Sequence, residues 1–260
     1  MQKNIISFLL FLTAFSSLAL QSQAEMQPIL KSRAGVPPPD ILKEILTTGK
    51  QSLDKNATPQ PSSSDAPYIT WVADADARVQ PEFILAQPVR RIFSVRNLAN
   101  QLNTSIGAVD YGVLSLHSPI LLITGNTDSE SLRLFSAGYG GLAPTIGREL
   151  DHLYPALGAR AENTQEDDRT RELRQVEKNV NFQVEQAMER YRERISNSRL
   201  VVVGSVLDIA NHYGRGANQL FIININGETD GKKIKKSALL RMLDPKLLDN
   251  IGRPPALEQK

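Results

Sequence analysis

The stretch that decides the fold is WVADADARVQPE, residues 71–82. Its apolar start up to Ala73, together with the β-friendly residues just before it, predicts a buried strand. Asp74, Asp76 and Arg78 then follow at every second position. If this tail stays extended, both carboxylates and the guanidinium lie on one side of the chain. Two acids and a base at the carboxyl end of a strand indicate a site in an open α/β sheet.

Further apolar runs of strand length recur along the chain, with helical patterns between them. This alternation is typical of a parallel sheet, whereas the last two runs are close enough to form an antiparallel hairpin. We therefore predict an α/β fold with about four parallel strands and one antiparallel edge strand, flanked by helices. The further strands are predicted at 90–97, 119–125, 199–209 and 218–226.

Apolar residues spaced by three or four positions predict the helices. Asp40 is a candidate N-cap for the first helix, which is amphipathic and resembles an arm. The run KKIKK, residues 232–236, is interpreted as a solubilising loop and not as a basic binding patch. Helices are predicted at 41–53, 100–116, from 129 towards 141, at 146–157, at 165–195 and at 237–251.

Residues 1–24 carry a lysine, an apolar run and the small-residue ending Ser22-Gln-Ala24, which predict a Sec-type signal peptide. A membrane anchor is the weaker alternative because hydroxyl residues interrupt the run and no basic stop-transfer segment follows. We expect export to the periplasm or the medium, and no later transmembrane segment. Residues 25–67 are predicted to be a leader, a helical arm and a spacer, and 68–260 a single domain.

The composition excludes several classes of protein. The formal net charge is +2 and acids and bases are interspersed, so nothing indicates a nucleic-acid partner. The chain has no cysteine. An exported protein of this composition has no disulfide, no thiolate metal ligand and no lipid-modified cysteine. Its stability must come from its core and from assembly.

The ordered motifs ADADARVQPE, FSVRNLAN, SIGAVDYGVLSLHSPILLITGNTDSES, EKNVNFQVEQ and RLVVVGSVLDI resemble the β-class carbonic anhydrase family. The resemblance spans most of the chain, from about residue 41 to residue 226. It implies a mostly parallel sheet that carries the site, an opening helical arm that packs on a partner subunit, and a dimer as the building unit. A homo-oligomer is therefore the expected partner arrangement.

The zinc-binding motif is where the sequence departs from that family. The family holds zinc with the cysteine of C-x-D-x-R and with the histidine and cysteine of G-H-x-x-C. The matching positions here are Asp74, Asn126 and Ser129. The positions that still match include the pair Asp76 and Arg78, and Asn97 in the V-R-N segment. Further departures are Ala99 and Glu130 in place of glycines, and Leu207 in place of a tyrosine.

The changed ligands predict that zinc does not bind. Amide and hydroxyl oxygens are poor neutral ligands for zinc, which is held in proteins by thiolate, imidazole and carboxylate. None of the three histidines, His117, His152 and His212, matches a family ligand. Without a metal that lowers the pKa of bound water, the hydroxide for carbon dioxide hydration is not generated. We therefore expect a non-catalytic binding or structural homo-oligomer, whose ligand the sequence does not identify.

Two alternatives stay open at the candidate pocket, which comprises Asp74, Asp76, Arg78, Asn97, Asn126 and Ser129. Asp76 and Arg78 form either a structural salt bridge or an acid/base pair that also uses Asp74, in a divergent carbonic anhydrase or another lyase or hydrolase. Repulsion between the two aspartates predicts a raised pKa for one of them. Asp128 and Glu130 add oxygen ligands that suit calcium, magnesium or manganese, so an oxygen-ligated divalent cation is a second hypothesis.

Overall fold

The computed structural model describes residues 36–48, 66–159 and 167–254. The predicted signal peptide (1–24), most of the leader and the spacer lie outside these described residues. The first residues of the helix predicted at 165–195 lie outside them as well.

The core of the molecule is a five-stranded sheet in the order β2-β1-β3-β4-β5. The first four strands in this order are parallel, and β5 pairs antiparallel with β4. The predicted α/β fold and its antiparallel edge strand are therefore confirmed. The strands are β1 (Ile69–Asp74), β2 (Ile92–Asn97), β3 (Ile120–Asn126), β4 (Val201–Asp208) and β5 (Gln219–Ile225).

The central strands are buried on both faces, as expected for a sheet covered by helices on each side. Three polar side chains inside this sheet bond to one another. Trp71 Nε1 donates to Thr124 Oγ1 at 2.8 Å, and Thr124 Oγ1 lies 2.8 Å from Ser205 Oγ. Because each polar atom has a partner, the cost of burying it is offset.

Eight α-helices are present among the described residues. Seven of them, α1 to α7, lie within or overlap predicted helical segments, and α8 does not. They are α1 (Pro38–Thr48), α2 (Ile106–Asp110), α3 (Glu130–Ala137), α4 (Pro144–Asp151), α5 (Tyr154–Leu157), α6 (Asp168–Arg190), α7 (Arg192–Ser196) and α8 (Gly231–Lys236).

Three helix predictions need correction or refinement. The segment 100–116 is helical from 103 to 115, but it changes from the 3₁₀ turn Asn103–Ser105 through α2 to the π-helical turn Tyr111–Ser115. The KKIKK run is helical and not a loop, because Asp230 caps α8 by accepting from the backbone N–H groups of Lys232 and Lys233. The segment 237–251 is not one helix; it holds turns and the 3₁₀ segment Pro245–Asn250.

Two apolar layers enclose the sheet. On one face, α1 buries Ile41, Leu42 and Ile45 against its own chain, in a cluster with Trp71 and the residues around Leu240. On the other face, α2 and α6 cover β1, β3 and β4. The family resemblance implied that the opening helix packs on a partner; here its apolar side packs on the sheet of the same chain.

Two strand glycines allow α6 to lie directly on the sheet. A Cβ atom added at Gly125 would stand 2.9 Å from Val176 and Val180. One added at Gly204 would stand 2.9 Å from Val180 and Val184. These distances are shorter than carbon atoms tolerate, so the close approach of helix and sheet requires glycine at both positions.

No helix within the described ranges combines the length and the apolar character needed to cross a lipid bilayer.

Candidate functional site

The candidate site lies where the parallel strands end at one edge of the sheet. Asp74, Asn97 and Asn126 are the last residues of β1, β2 and β3, and these strands are neighbours. Asp74 and Asn97 are directly paired in the register. The sheet thus brings the predicted site residues to one edge, as its topology requires.

Asp74 is buried and accepts hydrogen bonds on both carboxylate oxygens. Only 2% of Asp74 is exposed to solvent. Ser129 Oγ donates to Oδ2 at 2.6 Å, and Ser131 Oγ donates to Oδ1 at 3.0 Å. The backbone N–H of Ala99 also donates to Oδ1 at 3.0 Å. These donors compensate the carboxylate for the loss of water, which an isolated buried charge does not obtain.

The start of α3 places the two serines beside Asp74. Ser129 is the N-cap residue of α3, and its Oγ also accepts from the backbone N–H of Leu132 at 3.4 Å. Ser131 lies two residues later, in the first turn of the helix. The loop between β3 and α3 is therefore held by the same hydroxyl that binds Asp74.

Ala99 reaches Asp74 through a left-handed backbone. Its φ and ψ are 59° and 39°, and Asn100 follows with φ 48°. This conformation favours glycine, and for alanine it costs about 1 kcal/mol. Asn179 Nδ2 donates to the carbonyl of Ala99 at 2.8 Å and holds the strained turn. The strain keeps the Ala99 N–H directed at the Asp74 carboxylate.

Asp76 and Arg78 form the predicted salt bridge, in a turn and not in an extended tail. Arg78 donates to Asp76 through its backbone N at 2.9 Å, through Nε at 3.0 Å and through Nη2 at 2.6 Å. The chain turns at residues 77–78, so the extended tail that would have placed these side chains on one side does not form. The Arg78 guanidinium lowers the pKa of Asp76, partly opposed by burial. The expected raised carboxyl pKa is therefore not found at Asp76.

Asp128 and Glu130 are engaged by arginines. Asp128 forms salt bridges with both Arg78 and Arg133, and Glu130 forms one with Arg133. Arg78 Nη2 also donates to the carbonyl of Asp128 at 2.8 Å. The two arginines lower the pKa of Asp128, against the effect of burial. The acids that were candidates for an oxygen-ligated cation thus neutralise two guanidinium groups instead.

The two pocket asparagines have different surroundings. Asn126 Nδ2 lies 3.4 Å from Asp76 Oδ2, and its buried Oδ1 has no hydrogen-bond partner among the described residues. Asn97 instead braces the turn after β2. Its Nδ2 donates to the carbonyl of Gln101 at 2.6 Å, and its Oδ1 accepts from the Gln101 N–H at 2.7 Å. Asn97 therefore shapes the loop that presents Ala99.

None of the histidines joins this group. His117 lies 3.3 Å from Arg194, His212 lies 3.9 Å from Glu172, and His152 follows α4. Within the ranges that the structure describes, no group of three or more His, Cys, Asp or Glu side chains is arranged to hold a metal ion.

Sequence reasoning missed Ser131, the Ala99 N–H and Arg133, and it matched Arg96 to the V-R-N segment without placing it in the pocket. The Ala99 N–H leaves no trace in a side-chain pattern. Arg96 donates to the carbonyl of Asp74 at 3.2 Å and to that of Asp76. Its position on a strand next to β1, paired with Ala73, was the available signal.

The salt bridge of Asp76 predicts a specific loss of stability in acid. Because the folded-state pKa is lowered, the pairing stabilises the fold above the unfolded pKa of about 3.9, and this contribution disappears as the pH falls through the folded value. The difference in free energy of unfolding between wild type and Asp76→Asn is therefore expected to be constant from pH 7 to about 5 and to shrink below about 4. Urea denaturation across this range measures it.

The exposed acid Glu189 on α6 supplies the control for that series. Glu189→Gln removes one negative charge without touching the site. If the difference in free energy of unfolding between wild type and Asp76→Asn stayed constant down to pH 2, Arg78 would not stabilise the ionised form of Asp76.

A mostly parallel sheet with polar residues gathered at its carboxyl edge defines the open-sheet α/β class of fold. The family model described as carbonic anhydrase matches residues 69–214, which include all of β1 to β4. The chain belongs to the β-class carbonic anhydrase family. A comparison with curated proteins gave no match.

Two solved structures show the same fold. A β-carbonic anhydrase of Sordaria macrospora, described as tetrameric, is 23% identical over 61% of this chain and 81% of its own, with a TM-score of 0.52. The Coccomyxa β-carbonic anhydrase, solved with acetazolamide, is 19% identical over 69% of this chain and 82% of its own, with a TM-score of 0.53. At these identities the likeness supports the fold alone.

Proposed function

We propose that this chain is an exported member of the family that holds no zinc and serves as a non-catalytic binding or structural homo-oligomer. The observation that carries the proposal is the direct hydrogen bond of 2.6 Å between Ser129 Oγ and Asp74 Oδ2. These are two of the three positions at which the family binds its metal. Here they bind each other.

The residues at these positions do not fit zinc. A tetrahedral zinc ion with oxygen ligands at about 2.1 Å keeps those oxygens about 3.4 Å apart. The contact between Asp74 and Ser129 is much shorter than this distance. The third position offers the amide of Asn126, which is a weak neutral donor. Only one of the three positions therefore carries an anionic ligand, and that ligand is already satisfied by three hydrogen bonds.

Asp76 also does not support catalysis without a metal. A general base works best when its pKa lies near the operating pH. The Arg78 guanidinium instead lowers the pKa of Asp76 and occupies both of its oxygens. This arrangement favours the structural role of the pair over the acid/base alternative.

An oxygen-ligated cation would compete with charges that are already in place. To bind at Asp128 and Glu130, a divalent ion would have to displace Arg78 and Arg133 from them. Metal analysis of the purified protein tests this alternative directly, because it detects calcium, magnesium and manganese together with zinc.

The deciding experiment pairs metal content with stopped-flow carbon dioxide hydration on one sample. We expect zinc far below one ion per chain and a hydration rate equal to that of the buffer, because nothing lowers the pKa of water from about 15.7 to about 7. A rate above the buffer that disappears in Asp76→Asn would overturn the proposal. A zinc-containing member of the family, measured in parallel, shows that the assay detects activity.

The triple variant Asp74→Cys, Asn126→His and Ser129→Cys asks whether the surrounding pocket has also changed. Recovery of zinc binding would show that the changes at these three ligand positions alone account for the loss of zinc binding. Absence of zinc uptake in the folded variant would show that the pocket has diverged beyond its three ligand positions.

Export and assembly complete the proposal. The apolar run in residues 1–24 supports passage to the periplasm or the medium. The tetrameric state of the Sordaria macrospora relative supports a homo-oligomer. Light scattering on the purified chain measures its mass in solution, and a monomer at all concentrations would exclude the assembly.

A further inference from the structure

A second cleft opens beside the candidate site, between the end of β2 and helix α4. Its volume is about 590 Å³. One wall is the strand end that carries Arg96 and Asn97, and the other is the helix end. The polar side chains that matter for its chemistry are Arg96, Thr104, Ser105, Arg148, Glu149 and His152.

The cleft contains two arginines, Arg96 and Arg148, that form no salt bridge within the described residues, although the charge of Arg96 also acts on the nearby Asp76 carboxylate. Arg96 donates only to backbone carbonyls, those of Asp74 and Asp76. Arg148 makes no ion pair with any residue that the structure describes. Charged side chains elsewhere around the site are paired, as Arg78 and Arg133 show. The guanidinium of Arg148 is therefore available to a ligand, and Arg96 can offer its Nη1, because its Nε and Nη2 already donate to carbonyls.

Arg148 and His152 face the cleft from the same side of the helix. They are four residues apart, at the last turn and the C-cap of α4, so their side chains are neighbours. The imidazole adds a second N–H donor beside the guanidinium. The strand opposite supplies Arg96, which gives the cleft donors on both walls.

The remaining polar groups of the cleft include a hydroxyl donor and a carboxylate. Ser105 Oγ accepts from Asn97 Nδ2 at 3.0 Å, so its own hydroxyl proton is free to donate into the cleft. Glu149 is the one carboxylate among the described lining residues, and its Oε1 accepts from the Leu98 N–H at 2.9 Å. Its charge opposes an anion and reduces the net positive charge of the cleft.

We propose that this cleft binds a small oxyanion with two negative charges, of the phosphate or dicarboxylate type. Guanidinium groups match planar carboxylate and phosphate oxygens with paired hydrogen bonds. A doubly charged ligand can engage Arg96 and Arg148 together, and the Ser105 hydroxyl lines the same cleft as a further donor. The inference rests on the binding role proposed above and gives that role a ligand class.

Isothermal titration of the full chain with inorganic phosphate, and separately with succinate, tests the proposal at fixed ionic strength. We expect one of the two anions to bind. Arg148→Gln should weaken binding about tenfold or more, because it removes a charge-assisted donor. Glu149→Gln should strengthen binding several-fold, because it removes the repulsive charge and keeps the oxygen that accepts from Leu98. Arg192→Gln, an exposed arginine on α7 that does not line the cleft, should leave the affinity unchanged.

The unchanged affinity expected for Arg192→Gln, set against the loss in Arg148→Gln, separates a site from general charge attraction. The two anions distinguish a phosphate ligand from a dicarboxylate. Lack of binding by both anions would overturn the proposal, as would equal weakening by Arg148→Gln and Arg192→Gln. Metal content and hydration rate do not enter this titration, so its failure leaves the test of the proposed function intact.

Discussion

Asp74→Ala is expected to lower the free energy of unfolding by about 3–5 kcal/mol. The substitution leaves two serine hydroxyls and the Ala99 N–H without their shared acceptor. Each buried donor that loses its partner costs about 1–3 kcal/mol. The loss is large against a total stability that is typically about 5–15 kcal/mol. Urea denaturation of wild type and variant measures it.

A double-mutant cycle with Ser129→Ala identifies the contact. If the hydrogen bond between Asp74 and Ser129 is real, the cost of Asp74→Ala becomes smaller when Ser129 is already alanine. Glu189→Gln controls for the loss of one charge. Full additivity, or a variant as stable as wild type, would mean that the carboxylate does not hold this edge of the sheet.

Gly204→Ala is expected to destabilise the protein by about 2–3 kcal/mol. The added methyl group would stand 2.9 Å from side-chain carbons of Val180 and Val184 and 3.0 Å from the Cβ of Asn224. Two of these neighbours are on α6 and the third is on β5, so relief requires the helix to move away from the sheet. The free energy of unfolding in urea gives the magnitude.

The same substitution at Gly107 is the matched control. A methyl group there meets no atom within 4 Å, and Gly107 lies inside α2. Gly107→Ala is expected to be neutral or to stabilise by up to about 1 kcal/mol, because alanine is the better helix former. Equal effects at the two positions would show that α6 does not press on β4.

The strands and their mostly parallel pairing were predictable because apolar runs of strand length alternate with helical patterns. The strand order, with β1 between β2 and β3, was not predicted. Elements that depend on single local bonds were harder. Asp230 caps α8 in a segment whose lysines suggested a loop. The turn at Asp76 forms because its carboxylate accepts the Arg78 N–H, and this bond ends the extended chain that alternation predicted.

Many of the residues that form the site could be predicted, but the contacts between them were harder to predict. Asp74, Asn126 and Ser129 were found from motif positions, and the structure brings Asp74 and Ser129 into contact. The charge pairing of Asp128 was not foreseen, because Arg133 lies five positions away and acts only once α3 has formed. Backbone donors such as the Ala99 N–H depend on a left-handed turn that alanine rarely adopts.

Trp71 gives the molecule an internal optical reporter. It is the sole tryptophan of the chain, and its indole is fully buried with Nε1 bonded to Thr124 Oγ1 at 2.8 Å. The same strand ends three residues later at Asp74. Its fluorescence therefore comes from one place in the central sheet. A shift of its emission maximum to longer wavelength reports when water reaches the strand that carries the site.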